Sequence, residues 1–353
     1  MINIAQLNKK MLQDYIHSAA FNSAKNIAIS TIRANSHCNN PAATDEDSLL
    51  FIATENGEMV GYLGVLPAVF YTANKEEIKG GWLSCIWIAE NIRGKGLAKA
   101  LITEAYERYG GNIILTEFTS DAKKLYEKTN FFTSDCTLNG LRCFAKFNTA
   151  EIFPRKIKSL KKFRPILLAM DKLANKIFTL KTIETKWIKT NTINEYSKII
   201  NNYQTDFFEK TDKEKIAWIV NFPWLYSGAA NHESSRYFFS SAVDFFANEI
   251  YTLEDKALAV FSIRNNVLKM PILIGEYQPE EVVSLLLFLC KKHAIVSVDI
   301  YNQKIVDFLQ KNKSSFTYLH PIHREFLIAK TFKEKLNNQN HQYQDGIGDC
   351  AFT

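Results

Sequence analysis

The sequence predicts a mixed α/β fold made of two related units, and three observations support this prediction. The chain has 353 residues, more than the roughly 100–200 of an average domain. Apolar runs of strand length alternate with stretches of helical periodicity in both halves. The spacing of buried strands also repeats, because Thr116 follows Trp87 by 29 residues and Ile300 follows Pro271 by 29.

The first half begins with helices and continues with an antiparallel meander. Apolar residues at helical spacing predict helices within 1–20 and over 22–34. Two apolar runs flank the turn residues Glu55-Asn56-Gly57-Glu58 and predict a hairpin, in which Pro67 breaks or bulges the second strand. The elements that follow are predicted as a buried strand at 82–89, a helix at 97–109, a strand at 112–118, a helix at 120–129, and strands at 131–133 and 141–147.

The second half repeats this order. Its predicted elements are a strand at 182–189, helices at 192–203 and 213–221, strands at 237–253, 257–264 and 269–277, a helix at 280–293, a strand at 295–301, a helix at 303–311, and strands at 316–319 and 326–332. We therefore predict two folded units, 1–150 and 182–353, joined by a basic linker at 151–181.

The formal charge of +6 is concentrated in one segment. Residues 151–190 contain eleven Lys or Arg against Glu151, Asp171 and Glu184, so this segment carries +8 and the rest of the chain −2. The charge therefore argues against a nucleic-acid partner for the whole chain. The segment is interpreted as a solvated connector, and the alternative is a contact with an anion: a membrane surface, a cofactor phosphate or a nucleotide substrate.

The cysteine and apolar patterns bear on compartment and metal content. The six cysteines are scattered without a C-x-x-C pair, and neither they nor the histidines have metal-ligand spacing, which predicts free thiols and no metal. No apolar run reaches the length of a membrane span, and the amino terminus lacks a secretory pattern. These features predict a cytoplasmic protein without a membrane span, and they leave a homodimer open.

The sharpest local signal is the run Arg93-Gly94-Lys95-Gly96-Leu97-Ala98, which leaves a buried strand and opens a helix. Backbone N–H groups of such a turn, together with the unpaired N–H groups of the helix, form an anion site. Glycines at 94 and 96 remove the side chains that would keep a pyrophosphate away, and Arg93 and Lys95 add positive charge.

This run matches the pattern Q/R-x-x-G-x-G/A and resembles the coenzyme A pyrophosphate loop of the GNAT acyltransferase family. The segment from Thr119 to Phe131 is similar to that family's N-x-x-A-x-x-L-Y-x-x-x-G-F segment, with Thr119 in place of the asparagine and Asn130 in place of the glycine. Thr119 can still cap a helix, and asparagine tolerates a left-handed conformation. The resemblance implies an acyl-CoA co-substrate held by 93–98 and Thr119, with a catalytic domain in 1–150 and a degenerate copy of it in 182–353.

The resemblance also implies catalytic roles. The backbone N–H of Ile88 would polarise the thioester carbonyl, and Tyr126 would protonate the departing thiolate, because a phenol of pKa about 10 carries its proton at neutral pH. A carboxylate should accept the proton of an amine nucleophile. Glu117 and Glu90 are the candidates, and each could instead lie on a solvated face.

The predicted function is transfer of an acyl group, most simply acetyl from acetyl-CoA, to a primary amine of a small molecule or amino sugar by direct attack in a ternary complex. The alternatives are a Fem-like aminoacyl-tRNA-dependent ligase and a non-catalytic acyl-CoA-binding module. The second half lacks the glycine loop and has Gln278-Pro279-Glu280-Glu281 instead, so we expect it to complete the acceptor pocket or mediate association. The tail, 345–353, is either a disordered end or a source of acidic groups for a cationic acceptor.

Overall fold

A computed structural model describes residues 2–177, 184–228, 233–312, 315–337 and 341–352. Its strands are β1 Ile2–Leu7, β2 Leu50–Glu55, β3 Glu58–Tyr71, β4 Glu77–Ile88, β5 Ile113–Thr116, β6 Phe132–Phe144, β7 Ile188–Thr190, β8 Tyr226–Ser227, β9 Ala242–Val243, β10 Phe246–Leu253, β11 Ala257–Arg264, β12 Val267–Gly275, β13 Ser297–Ile300 and β14 Tyr318–Ala329. The predicted mixed α/β fold is confirmed.

Helices cover the faces of the sheet and connect its strands. They are α1 Lys9–His17, α2 Ala19–Ser23, α3 Thr31–Cys38, α4 Leu97–Arg108, α5 Ser120–Thr129, α6 Thr149–Lys156, α7 Arg164–Ile177, α8 Ser197–Tyr203, α9 Lys213–Asn221, α10 Pro279–Lys292, α11 Gln303–Lys311 and α12 Lys330–Leu336. Within the described residues, no helix is both long and apolar enough to cross a membrane. All six cysteines are free thiols.

Twelve of the strands form one sheet in the order β1-β2-β3-β4-β5-β14-β6-β13-β12-β11-β10-β7. Each half contributes antiparallel strands followed by one parallel pair, β4 with β5 and β12 with β13. At the centre the halves exchange strands, because β14 pairs with β5 and β6 pairs with β13. The two predicted units therefore share one sheet, and the boundaries 1–150, 151–181 and 182–353 stay a prediction.

Strand exchange explains why β6 and β14 are longer than their local sequence predicts. We expected two strands in each of these places, separated by polar residues, and the structure has one continuous strand in each. The two long strands pair with each other from Tyr318 opposite Phe144 to Ala329 opposite Phe132. A distant partner therefore supplies backbone hydrogen bonds to residues whose local sequence resembles a loop.

Three further differences have local causes. β3 continues through Pro67 without a break. Its neighbour β2 pairs with it only as far as Leu50 opposite Gly64, so beyond that point no strand on that side needs a hydrogen bond from the N–H that proline lacks. The predicted strand at 237–253 is shorter, since β10 starts at Phe246. Of the strand predicted at 182–189, residues 182 and 183 lie outside the described part of the chain, and β7 begins at Ile188.

The tail folds into the core, so its interpretation as a disordered end is wrong for residues 345–352. A 3₁₀ turn at Gly348–Ala351 is buried, and Phe352 stacks on Trp224 with ring centroids 4.8 Å apart. Gly348 has φ +58°, and a Cβ placed there would lie 2.6 Å from the Trp82 ring. Only glycine allows this turn to approach β4 so closely.

Candidate active site

A cleft opens where β4 and β5 separate. The two strands pair only at Gly81–Ile113 and Trp82–Ile114, after which β4 continues to Ile88 and β5 ends at Thr116. A β-bulge lies at the point of separation. Here Cys85 and Ile86 of β4 lie opposite the single residue Leu63 of β3. Cys85 has φ +51°, a conformation that costs energy for a residue other than glycine and that marks functional sites.

The Ile88 amide is directed into this cleft. The next amide along the strand, that of Ala89, donates to the Val60 carbonyl of β3 over 2.9 Å. Successive backbone groups of a strand point to opposite sides, so the Ile88 N–H points away from β3 and toward β5. This orientation supports the role predicted for Ile88 as a donor to a thioester oxygen.

The glycine loop forms an open cradle at the start of α4. Gly94 and Gly96 have φ of +81° and +85°, and no atom lies within 4 Å of a Cβ placed at either. Gly96 caps α4 without a side chain, so no capping side chain bonds to the first N–H groups of the helix. Arg93 donates from Nε to the Ile88 carbonyl over 3.2 Å. These features fit a pyrophosphate.

The corresponding helix start in the second half is closed. At α10, a Glu281 carboxylate oxygen accepts a hydrogen bond from the Gln278 N–H over 3.1 Å. Both this carboxylate and that of Glu280 lie in the first turn of the helix. The geometry therefore supports the prediction that the second half does not bind coenzyme A.

We expect Gly96→Val to weaken acetyl-CoA binding by at least about tenfold, because a left-handed conformation costs an ordinary residue roughly 1–2 kcal/mol and the loop must rearrange. Isothermal titration with acetyl-CoA measures this. Gly57→Val is the matched control, since Gly57 has φ +82° and equally open surroundings in the β2–β3 turn. The loop's role would be contradicted if both variants kept wild-type affinity.

Helix α5 places Tyr126 beside the cleft. Thr119 caps the helix as predicted, with Oγ1 accepting from the Ala122 N–H over 3.2 Å, and Asn130 ends it at φ +68°. Tyr126 is buried edge-on to Phe132, with ring centroids 5.5 Å apart. Burial, and then the neighbouring Asp349 and Cys85, raise the pKa of Tyr126 well above its usual value. A phenol in this setting stays protonated at neutral pH, which suits a proton donor.

The two predicted bases lie in different surroundings. The Glu90 side chain is 89% exposed in the turn before the glycine loop, with its carboxylate 3.9 Å from the Arg93 guanidinium. Glu117 follows β5 at φ +55°, and its Oε1 accepts from Nε of the buried Arg324 over 3.0 Å. The geometry favours Glu117 over Glu90 as a group near the cleft, although the ion pair with Arg324 already engages it.

Asp349 is a further carboxylate near the cleft, and the sequence alone did not indicate it as a base. It is half-buried at the bulge, where its Oδ2 accepts from the Ser84 hydroxyl over 2.9 Å. Burial raises the pKa of Asp349 to about 6, against the opposing effects of the Ser84 hydrogen bond and of Arg33. A carboxylate with a pKa near neutrality is suited to accept a proton at pH 7. The sequence pointed to the tail only as a source of acidic groups for a cationic acceptor.

Contacts of the tail with the second half hold Asp349 in place. The Gly348 N–H donates to Glu209 Oε2 over 3.0 Å, and the Lys215 ammonium pairs with Glu209 Oε1 over 2.8 Å. Both side chains of this pair are buried. The proposed acidic group therefore comes from the carboxy-terminal segment and lies against a strand of the amino-terminal half.

Helix α3 lines the bulge with polar groups. The Arg33 guanidinium donates to Cys85 Sγ over 2.8 Å and lies 4.3 Å from the Trp224 ring centroid. Burial, and then the charge of Arg33, lower the pKa of His37 to about 3, so this imidazole is neutral. His37 Nδ1, the Tyr62 hydroxyl and Arg33 Nε are buried and have no hydrogen-bond partner among the described residues. Such atoms can bind a polar ligand.

A second, wider opening lies past the end of β5. It is lined by residues of the β5–α5 connection and of β14, including Glu117, Thr119 and Arg324, and by Arg142 and Tyr301. Arg142 forms a bidentate pair with Asp299, with distances of 2.6 and 2.7 Å. The Arg324 guanidinium lies 4.1 Å from the centroid of the Tyr301 ring. Within the described residues, no group of His, Cys, Asp and Glu has an arrangement that could hold a metal ion.

The fold and the cleft are those of the GNAT type. Residues 15–131 match the model of the acetyltransferase (GNAT) family, so the first half of the chain contains a GNAT acyltransferase domain. Comparison with curated protein sequences finds no match.

Solved structures share the fold over nearly the whole chain at low sequence identity. A putative acetyltransferase from Pyrococcus horikoshii aligns with a TM-score of 0.53 at 11% identity, over 100% of this chain and 96% of its own. N-myristoyltransferase of Saccharomyces cerevisiae with bound myristoyl-CoA aligns with a TM-score of 0.52 at 12% identity, over 93% and 79%. A GCN5-related N-acetyltransferase from Anabaena variabilis aligns with a TM-score of 0.52 at 8% identity, over 93% and 72%.

Proposed function

We propose that the protein is an acyl-CoA-dependent N-acyltransferase that transfers acetyl from acetyl-CoA to a primary amine of a small molecule or amino sugar by direct attack in a ternary complex. The observation that carries this proposal is the convergence of three features on the β4–β5 cleft. The Arg93–Ala98 cradle lies at its entrance, the Ile88 amide points into it, and Asp349 lies at its base, bonded to Ser84.

Each residue has a separate task in this proposal. The thioester supplies an activated acyl group. Ile88 N–H stabilises the negative charge that develops on the carbonyl oxygen as the amine nitrogen bonds to the acyl carbon. Asp349 accepts the proton that the nitrogen loses, and Tyr126 gives its proton to the sulfur as the carbon–sulfur bond breaks. Each residue recovers its starting protonation state by exchange with water after the products leave.

The unpartnered polar atoms around Arg33 line a small cavity beside the bulge. A buried polar group without a partner costs free energy, and a ligand that supplies the missing hydrogen bonds recovers it. His37, Tyr62 and Arg33 each present such an atom at one cavity beside the bulge. This cavity has a volume of about 10 Å³, room for one water molecule and not for a sugar, so these atoms do not decide among small-molecule amines.

Release of free thiol from acetyl-CoA tests the proposal. The wild-type protein is expected to release thiol with at least one member of a panel of amino sugars and other small amines, and the acceptor should gain the mass of one acetyl group. Binding of acetyl-CoA without thiol release across the panel would contradict the enzyme assignment and support a non-catalytic acyl-CoA-binding module. The intact glycine loop argues against an aminoacyl-tRNA-dependent ligase, which does not require it.

A further inference from the structure

The connector between the two halves forms a helical hairpin on the surface, which we call the connector hairpin (residues 149–177). It consists of α6, a 3₁₀ turn at Lys158–Phe163, and α7. Polar side chains of α7 attach it to the rest of the protein. Buried Asp171 accepts from the Thr149 and Ala150 N–H groups over 3.0 and 2.9 Å, and Asn175 exchanges hydrogen bonds with the Phe147 backbone over 2.8 and 2.9 Å.

The opposite face of α7 is an apolar stripe that faces solvent. Its four members, spaced by 4, 3 and 4 residues and between 58% and 67% exposed, are Ile166, Met170, Leu173 and Ile177. This spacing places them on one side of a helix. On the surface of a soluble domain the apolar face of a helix normally turns inward. Here the helix packs through its polar anchors Asp171 and Asn175 and presents its apolar side outward.

The stripe has further apolar and basic neighbours. Phe153, Ile157 and Phe163 extend the exposed apolar surface onto the rest of the connector hairpin. Exposed cationic side chains surround it: Lys158, Lys161, Lys162, Arg164, Lys172 and Lys176. The acidic side chains of the hairpin are engaged within it, since Asp171 caps α6 and Glu151 pairs with Arg164.

We propose that the connector hairpin docks on the surface of an anionic lipid bilayer, with α7 lying in the plane of the interface and its apolar stripe among the acyl chains. Apolar residues on one face with lysines at the flanks are the features of an interfacial helix, because the lysine stems reach up to lipid phosphates. With 14 residues, α7 is too short to span a bilayer. A second copy of the hairpin is disfavoured as the occupant, since it would bring two cationic rims together.

Flotation of the full-length protein with vesicles tests this proposal. We expect binding to vesicles of phosphatidylcholine containing phosphatidylserine, weaker binding to phosphatidylcholine alone, and a decrease at high salt, because screening weakens the ionic part of the attraction. Absence of binding to the anionic vesicles would overturn the proposal.

A pair of variants on the same helix provides the matched control. Leu173→Glu places a charge in the stripe, whereas Leu168→Glu places the same charge on α7 outside it, at a residue that is also exposed. Leu173→Glu is expected to weaken vesicle binding by at least about tenfold, since it removes an apolar side chain from the acyl-chain region and puts a charge in its place. Leu168→Glu should have a much smaller effect. Equal effects would refute the stripe as the docking surface, as would lipid-free self-association that Leu173→Glu abolishes. Thermal unfolding verifies that both variants fold.

Discussion

Replacement of Asp349 by asparagine is expected to lower kcat for acetyl transfer by about two to four orders of magnitude, the range typical of a lost general base. Acetyl-CoA affinity should not change, because the residue lies at the base of the cleft and not in the glycine loop. Asparagine keeps the shape of the side chain and can still accept the Ser84 hydrogen bond. Steady-state thiol release and titration with acetyl-CoA measure the two quantities.

The pH dependence distinguishes a base from a structural residue. In the wild type, kcat/KM should rise as the pH passes through about 6, because Asp349 must lose its proton before it can accept another. This limb should be missing in Asp349→Asn. If the limb persists in Asp349→Asn and disappears in Glu117→Gln, Glu117 is the base instead. Asp121→Asn, an exposed change on α5, is the control and should behave as wild type.

The same substitution has an unusual expected effect on stability. Burial raises the pKa of Asp349 from 3.8 to about 6, so the unfolded chain releases this proton first as the pH rises. Ionisation of Asp349 therefore favours the unfolded state. It lowers the free energy of unfolding progressively between about pH 3.8 and 6, and the full loss is reached above about pH 6. Asp349→Asn should melt at or above the wild-type temperature at pH 8. A large loss of stability there would indicate a structural role.

Tyr126→Phe is expected to lower kcat by about two to four orders of magnitude while leaving acetyl-CoA affinity nearly unchanged. The hydroxyl acts on the departing sulfur, and phenylalanine fills the same apolar space against Phe132. An acyl donor whose thiol has a lower pKa needs less protonation, so it should narrow the difference between wild type and variant.

Tyr106→Phe provides the control for Tyr126. Tyr106 stacks on Phe131, and its hydroxyl bonds to Thr331. Tyr106→Phe therefore also removes a phenol oxygen, but one that lies outside the cleft. Its turnover should match that of the wild type. Equal losses in turnover and affinity for Tyr126→Phe, or no sensitivity to the leaving thiol, would argue against an acid role.

Features that depend on neighbouring residues were predictable. The glycine loop at the start of α4, the Thr119 cap and the left-handed Asn130 each rest on the conformational preferences of one residue and on hydrogen bonds within the same turn. The alternation of strands and helices was also readable from apolar spacing. These rules act over a few residues, so a single sequence contains all the information they need.

The connector hairpin was predictable from the sequence only in part. Its positive charge was plain in the sequence, but the direction in which α7 faces was not. Helical periodicity predicts an apolar stripe without showing whether it turns inward or outward. That depends on Asp171 and Asn175, whose hydrogen bonds to the α6 start and to Phe147 orient the helix.

The sequence alone determined the mixed α/β fold, the glycine loop and the helix that carries Tyr126, because each depends on local conformation. Tertiary structure decided the strand exchange between β6 and β14 and the place of Asp349. Asp349 meets Ser84 across 265 residues of chain, and its raised pKa comes from burial by elements of both halves. Desolvation and long-range strand pairing depend on the completed fold, and no local pattern specifies which distant residues will supply them.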